Sequence, residues 1–338
     1  MAKKAYPEFH KALLNQSLYP SASRRIKFEE TGTSYLYRTG DHLYKIRKDS
    51  PVYSSLAIKE AYAHEALRVG ERWAPGCYEA VVPIVQTESG YALGGEGEEV
   101  AYAVRIKQLS GHYWLSDLLA HGKATQTAIG RLARYLADEH QAHAAQGKAA
   151  EVGRPEHLRG LVEEIAYQAK KYIGQTLTDA MYDMTMRPLE RFLDEGRKLF
   201  LRRQKRDRVV DGHGAFIPEH IYMRGKDVLA VSALETHHKY RLLDAANDVA
   251  TLLNELNLAD AKETADLFLK RYVSVSRDRE LEKILPVYEA FQAMRRGLVY
   301  SERQVDAANA AASEDFARRA HAYFNLAVQR ARELPRNP

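Results

Sequence analysis

Cysteine is almost absent from this chain: Cys77 is its one thiol in 338 residues. A lone cysteine excludes an intrachain disulfide and a zinc ribbon, and it suits a reducing, cytoplasmic setting. Long apolar runs are missing too, since no stretch approaches the ~18 apolar residues that a membrane span needs. The opening Met1-Ala2-Lys3-Lys4-Ala5-Tyr6-Pro7 is basic but has no apolar core behind it, so it does not read as a signal peptide. No Gly-x-x-x-x-Gly-Lys-Ser/Thr sequence occurs, which excludes a P-loop phosphate cradle in this chain. No internal repeat or low-complexity tract stands out. The charge balance is mild, with a net +5. Its densest basic run, Arg202-Arg203-Gln204-Lys205-Arg206-Asp207-Arg208, reads as a solvated helix C-terminus favoured by the macrodipole. No series of aromatic residues for stacking lies nearby, so nucleic acid is not an expected partner.

What is present is a chain that is 45% hydrophobic and 28% charged, enough for a substantial core and long for one compact domain. Residues 30–48 alternate as two strands about a Gly40-Asp41 turn, a hairpin pattern with Lys45 in its second strand. Residues 57–73 carry apolar side chains at helical spacing until Ala74-Pro75 stops them. Strands follow from Tyr78 to Val85 and from Ala101 to Leu109, and Ser110-Gly111 lets the chain cross into a helical region. Helices are predicted over 114–121, 125–145, 155–171 and 179–203, and again over 261–272, 279–300 and 305–334. The last of these has a broad apolar face, Phe316, Ala320, Tyr323, Phe324, Ala327 and Val328, expected to pack within the helical region.

Two short segments carry the functional signal. The first is His213-Gly214-Ala215-Phe216-Ile217-Pro218-Glu219-His220, preceded by Arg208-Val209-Val210-Asp211-Gly212. The second is Ala230-Val231-Ser232-Ala233-Leu234-Glu235-Thr236, followed by Tyr240-Arg241-Leu242-Leu243-Asp244-Ala245-Ala246-Asn247-Asp248-Val249. Together they resemble the aminoglycoside phosphotransferase-like kinases, most closely the bacterial branch in which such a domain is often fused to a P-loop kinase domain. The resemblance covers roughly residues 25 to 300. In that family the first segment typically reads H-G-D-L-H-x-x-N and the second roughly hydrophobic-hydrophobic-D-C-I-E-F. Here Ala215 stands at the catalytic Asp, Ile217 at the second His, His220 at the Asn and Ser232 at the principal magnesium Asp.

The resemblance implies an α+β, bilobal protein-kinase-like fold. A small antiparallel N-lobe over residues 1–108, with five strands and one helix, would be followed by a large, mostly helical C-lobe over 109–338. It also gives Lys45 the role of holding the α- and β-phosphates, and Glu65 that of the helix carboxylate pairing with it. By spacing alone Glu65 is equally an i, i+3 partner for Arg68. The hinge, Gln108, Leu109 and Ser110, would offer backbone hydrogen bonds to an adenine. Asp244 and Asp248 match a D-x-x-x-D element that anchors the catalytic segment.

The departures matter because phosphoryl transfer relies on an Asp that takes the acceptor's proton, on Asn and Asp holding magnesium, and on the phosphate lysine. A methyl group at 215 can accept no proton, and the Ser232 hydroxyl is a poor ligand for a hard cation. The chain therefore reads as a pseudokinase, a binding or regulatory protein without ATP-dependent phosphotransfer. It is expected to hold ATP, another nucleotide or another small anionic ligand weakly, or to bind a partner protein. Two alternatives stay open: an enzyme with altered phosphotransfer or a divalent metal site repurposed from Glu235 and His220 with neighbouring His213, Glu219, His237 and His238, and a structural assembly subunit.

Overall fold

A computed structural model describes residues 6–20, 25–51 and 53–335. They fall into two compact units: residues up to His112 with Leu229–Thr236, and Tyr113–Val228 with the residues from His237 onward.

The first unit is built on an antiparallel sheet of β1 (Lys27–Glu30), β2 (Ser34–Arg38), β3 (His42–Arg47), β4 (Tyr78–Thr87), β5 (Gly90–Leu93) and β6 (Glu98–Lys107), in the spatial order β1-β2-β3-β6-β4-β5. The sheet has six strands where five were expected, and the edge strand β5 is only four residues long. Gly40 makes the β2–β3 turn at φ 102°, a left-handed conformation that glycine adopts without a Cβ clash. Strand alternation sends Tyr44 and Ile46 to one face, where they pack with Tyr37, Ile84, Ala103 and the N-terminal residues Phe9 and Leu13. The latter belongs to α1 (His10–Leu13).

The other face is covered by α2 (Leu56–Trp73), which begins where the Ser55 hydroxyl accepts from the Ile58 amide and stops at Ala74-Pro75. Ala63, Ala66 and Leu67 recur at helical spacing and pack on Tyr78, Tyr102, Val104 and Ile106. Gly70 is the point of closest approach: a Cβ there would lie 2.2 Å from the Tyr78 ring. Gly70→Ala is therefore expected to destabilise the protein by about 1–3 kcal/mol in chemical denaturation, overlap outweighing a helix-propensity gain of about 1 kcal/mol. A neutral or stabilising result would mean that Tyr78 can move aside.

The second unit is mostly helical: α3 (Leu115–Ala120), α4 (Gln126–Ala142), α5 (Pro155–Ala169), α6 (Asp179–Glu195) and α7 (Arg197–Lys205) precede the loop region. The single helix expected over 179–203 is broken at Gly196, where a Cβ would meet the Phe192 carbonyl at 2.7 Å. Strand β7 (Val209–Asp211) follows, then β8 (Ile221–Arg224) and β9 (Asp227–Ala230), whose last two residues already belong to the first unit. The chain continues through α8 (His238–Arg241) and β10 (Leu242–Asp244), which pairs antiparallel with β7. Four helices complete the unit, α9 (Ala246–Leu258), α10 (Lys262–Ser276), α11 (Leu281–Val305) and α12 (Ala310–Arg332). The last starts at 310 rather than 305 because Asn309 caps it, accepting from the Ala312 amide at 2.9 Å. Ala320, Tyr323, Phe324, Ala327 and Val328 are buried, and Gly297 of α11 makes room for the Phe324 ring. No helix of the described residues is long and apolar enough to cross a membrane.

The basic run at the end of α7 is not a free cationic surface. Arg203 is buried and binds both Asp244 and Asp278 with two hydrogen bonds each, while Arg202 and Arg206 share Glu280.

Candidate functional site

Lys45 lies on β3, a central strand paired with Leu36 of β2 on one side and Val104 of β6 on the other. Its neighbours at period two, Leu43 and Arg47, share its face. The ammonium donates to both oxygens of Glu235, at 2.8 and 2.9 Å. Next along each strand of contact, Arg47 Nη1 donates to Thr236 Oγ1 at 2.5 Å. Segment 229–236 is thus pinned to β3 by two consecutive residues. Glu235 is buried, and burial of a carboxylate is strongly unfavourable without a cation, so Lys45 is what makes its position tenable. Beside the pair remains a cavity of about 20 Å³, the room of a single water.

Ser232 sits in the same unit with φ 60°, a left-handed conformation that costs a non-glycine residue roughly 1–2 kcal/mol. Its amide donates to the Tyr78 hydroxyl at 3.0 Å. Burial, reinforced by the nearby Glu235 charge, pushes the Tyr78 phenol far above its ordinary range, so it stays a neutral hydroxyl. Tyr78 was read from the sequence only as the start of a strand, and nothing local marks it as the support of position 232.

Glu65 of α2 forms a two-pronged pair with Arg68 at 2.7 and 2.8 Å; the carboxylate bonded to Lys45 is that of Glu235. At the hinge the Gln108 amide is taken by the Asp41 carbonyl at 2.8 Å. Leu109 packs against the α2-side core, and Ser110 is exposed.

In the second unit, the segment from His213 to His220 is organised by Asp248. Its carboxylate accepts from the His213 amide at 2.6 Å and the Gly214 amide at 2.7 Å, and lies 3.2 Å from His140 Nε2. His140 in turn meets the Tyr272 hydroxyl at 2.8 Å. Gly212 must be glycine for this, because a Cβ would fall 2.4 Å from Asp248 Oδ2. Burial pushes the Asp248 carboxyl up, but His140, the His213 charge and the amide bonds outweigh it and hold the group below its ordinary range. Asp244 accepts from the Ala246 amide at the start of α9 while holding Arg203. Both aspartates are therefore anchors, Asp244 committed to Arg203 and a backbone amide, Asp248 to two backbone amides and His140.

Ala215 presents a methyl group. Its carbonyl receives His220 Nδ1 at 2.9 Å, and Arg295 Nη2 donates to the Gly214 carbonyl at 3.0 Å. Glu219 is exposed. Among the described residues no group of three or more His, Cys, Asp or Glu side chains is placed to hold a metal ion. Arg295 and His140 were missed in the sequence because they come from α11 and α4, remote from the loop they support.

A sheet with one covering helix, a strand lysine and an aspartate-anchored loop between short strands define a kinase-like fold of the small-molecule phosphotransferase kind. The chain has the fold of the aminoglycoside phosphotransferase and choline kinase proteins. A candidate aminoglycoside phosphotransferase from Ralstonia eutropha superposes with a TM-score of 0.54 at 15% identity, covering 97% of this chain and 99% of that one. A choline/ethanolamine kinase family protein from Mesorhizobium loti gives 0.53 at 12% identity, with 97% and 100% covered. A microcompartment-associated aminopropanol kinase gives 0.51 at 15%, with 94% and 96% covered. In sequence, the chain is 25% identical over 288 residues to uncharacterized proteins of Mycobacterium tuberculosis and Mycobacterium bovis, covering 81% of this chain and 54% of theirs. It thus spans about half the length of the curated relatives it matches. No family model matches.

Proposed function

We propose that this chain is a pseudokinase: a kinase-fold protein that binds a nucleotide or another small anionic ligand, or a partner protein, and does not transfer phosphate. The observation that carries this reading is the pair of side chains standing where a kinase needs carboxylates, the methyl of Ala215 and the hydroxyl of Ser232. Lys45 is held by Glu235, a carboxylate of the segment that carries Ser232, so a phosphate entering there has to share the lysine with it. Ser232 offers no carboxylate for magnesium, and its amide is bound to Tyr78. The methyl of Ala215 supports the same reading, since no proton acceptor stands there.

An incoming phosphate therefore competes with Glu235 rather than joining a metal cage. Calorimetric titration of ATP should give weak binding that changes little when magnesium is removed. Glu235→Gln, which keeps the shape but removes the charge, should tighten ATP by about tenfold, the equivalent of ~1.4 kcal/mol, and Lys45→Met should abolish it. Tight, magnesium-dependent binding to the unaltered protein would overturn the reading. So would a Glu235→Gln protein that binds ATP no better.

A further inference from the structure

Next to the Lys45 cavity, and sharing Arg47, Tyr53 and Tyr102 with it, the first unit contains a pocket of about 410 Å³ beside the C-terminal end of β3, within the size range of small-molecule sites. Tyr6, Phe9, Tyr35, Tyr53 and Tyr102 give it an aromatic lining. The charges in its wall are arranged unevenly. Lys48 pairs with Glu30 and Lys59 with Asp49, the latter at 2.8 Å, so these four cancel. Arg47 is left over: among the described residues it has no ion-pair partner, only the Thr236 hydroxyl and two tyrosine rings. Its guanidinium lies 5.0 Å from the centre of the Tyr53 ring and 5.3 Å from that of Tyr62. Those rings meet edge to face, at 4.7 Å and 87°, and so hold the guanidinium in place before any ligand arrives.

We infer that this pocket binds a small organic monoanion with an aromatic body, an aryl carboxylate being the simplest case, through Arg47. A guanidinium has five N–H donors in a planar fork, and the Thr236 bond uses one nitrogen, leaving donors for a carboxylate. Among the described residues the ion pairs of the wall leave one surplus positive charge, which matches one negative charge. Glu30 and Asp49 in the wall disfavour a doubly charged phosphate. The tyrosine and phenylalanine rings suit a flat apolar body, and the pre-set guanidinium lowers the ordering cost of binding.

The test is titration of the intact chain with benzoate, with benzamide as the neutral isostere and inorganic phosphate as the compact anion. Saturable benzoate binding is expected, at least ~tenfold tighter than either comparison ligand. Arg47→Gln should weaken benzoate at least ~tenfold while far-UV circular dichroism stays unchanged. To guard against a variant that misfolds, 4-bromobenzoate soaked into crystals of the unaltered protein should place its bromine, by anomalous scattering, in the pocket between Arg47 and Tyr35. Bromine found elsewhere, benzamide binding as well as benzoate, or no saturable benzoate binding would each overturn the assignment.

Discussion

Given ATP, magnesium and an aminoglycoside or simple alcohol as acceptor, the purified protein is expected to turn over ATP far below the roughly 1 per second at which ordinary kinases begin. The deficit has separate sources. A positioned general base contributes about 10²–10⁴-fold, and Ala215 supplies none. Preorganised charge at the transferring group contributes further orders of magnitude, and Ser232 and His220 replace the side chains expected to hold the metal ions. For this reason Ala215→Asp alone should restore no measurable activity: the methyl is one fault among three. A radiometric or coupled assay that detects turnover above about 1 per second, lost in Lys45→Ala, would show that the chain uses a different catalytic arrangement and would end the pseudokinase reading.

Asp248→Ala is expected to be among the most damaging single substitutions for stability. The carboxylate is buried and satisfies two loop amides and His140. Removing it leaves those buried donors unmet. Each buried donor left unsatisfied costs about 1–3 kcal/mol, so the loss is a large fraction of the ~5–15 kcal/mol that holds a typical domain folded. Chemical denaturation followed by circular dichroism gives the number; a loss below about 1 kcal/mol would mean that the loop keeps its shape without the anchor. The pH dependence has a definite sign. Because the folded pKa is depressed, Asp248 contributes stability above its ordinary value of 3.8, and that contribution is lost as pH falls below 3.8 through the folded value. Asp248→Asn should remove this part of the acid dependence along with much of the stability.

Much of the fold is legible in the sequence. Alternation over residues 41–48 marked a strand with Lys45 on it, and Ala74-Pro75 marked the end of α2. The α+β kinase-like fold was implied by the family resemblance that the two loop segments and their flanks carry. Less legible were features without a local pattern. The edge strand β5 is too short for its alternation to stand out, and nothing local but a single glycine marks the break at Gly196. The charge of α7 was visible, but not that Arg203 would be buried between two aspartates, one of them 75 residues away.

The sequence by itself determined which residues stand at each position of chemical interest: a methyl at 215, a hydroxyl at 232, lysine at 45, aspartates at 244 and 248. It is the resemblance carried by the two loop segments that gives these positions their meaning, while strand and helix period, short-range properties, place them on local elements. Only the tertiary structure decided which charges meet. Glu65 joins Arg68 within its own helix, while Lys45 meets Glu235, 190 residues further along the chain; Arg47, left without a carboxylate among the described residues, faces a pocket. Which carboxylate a buried cation receives depends on which backbone segment packs within about 3 Å of it, and sequence separation places no limit on that distance.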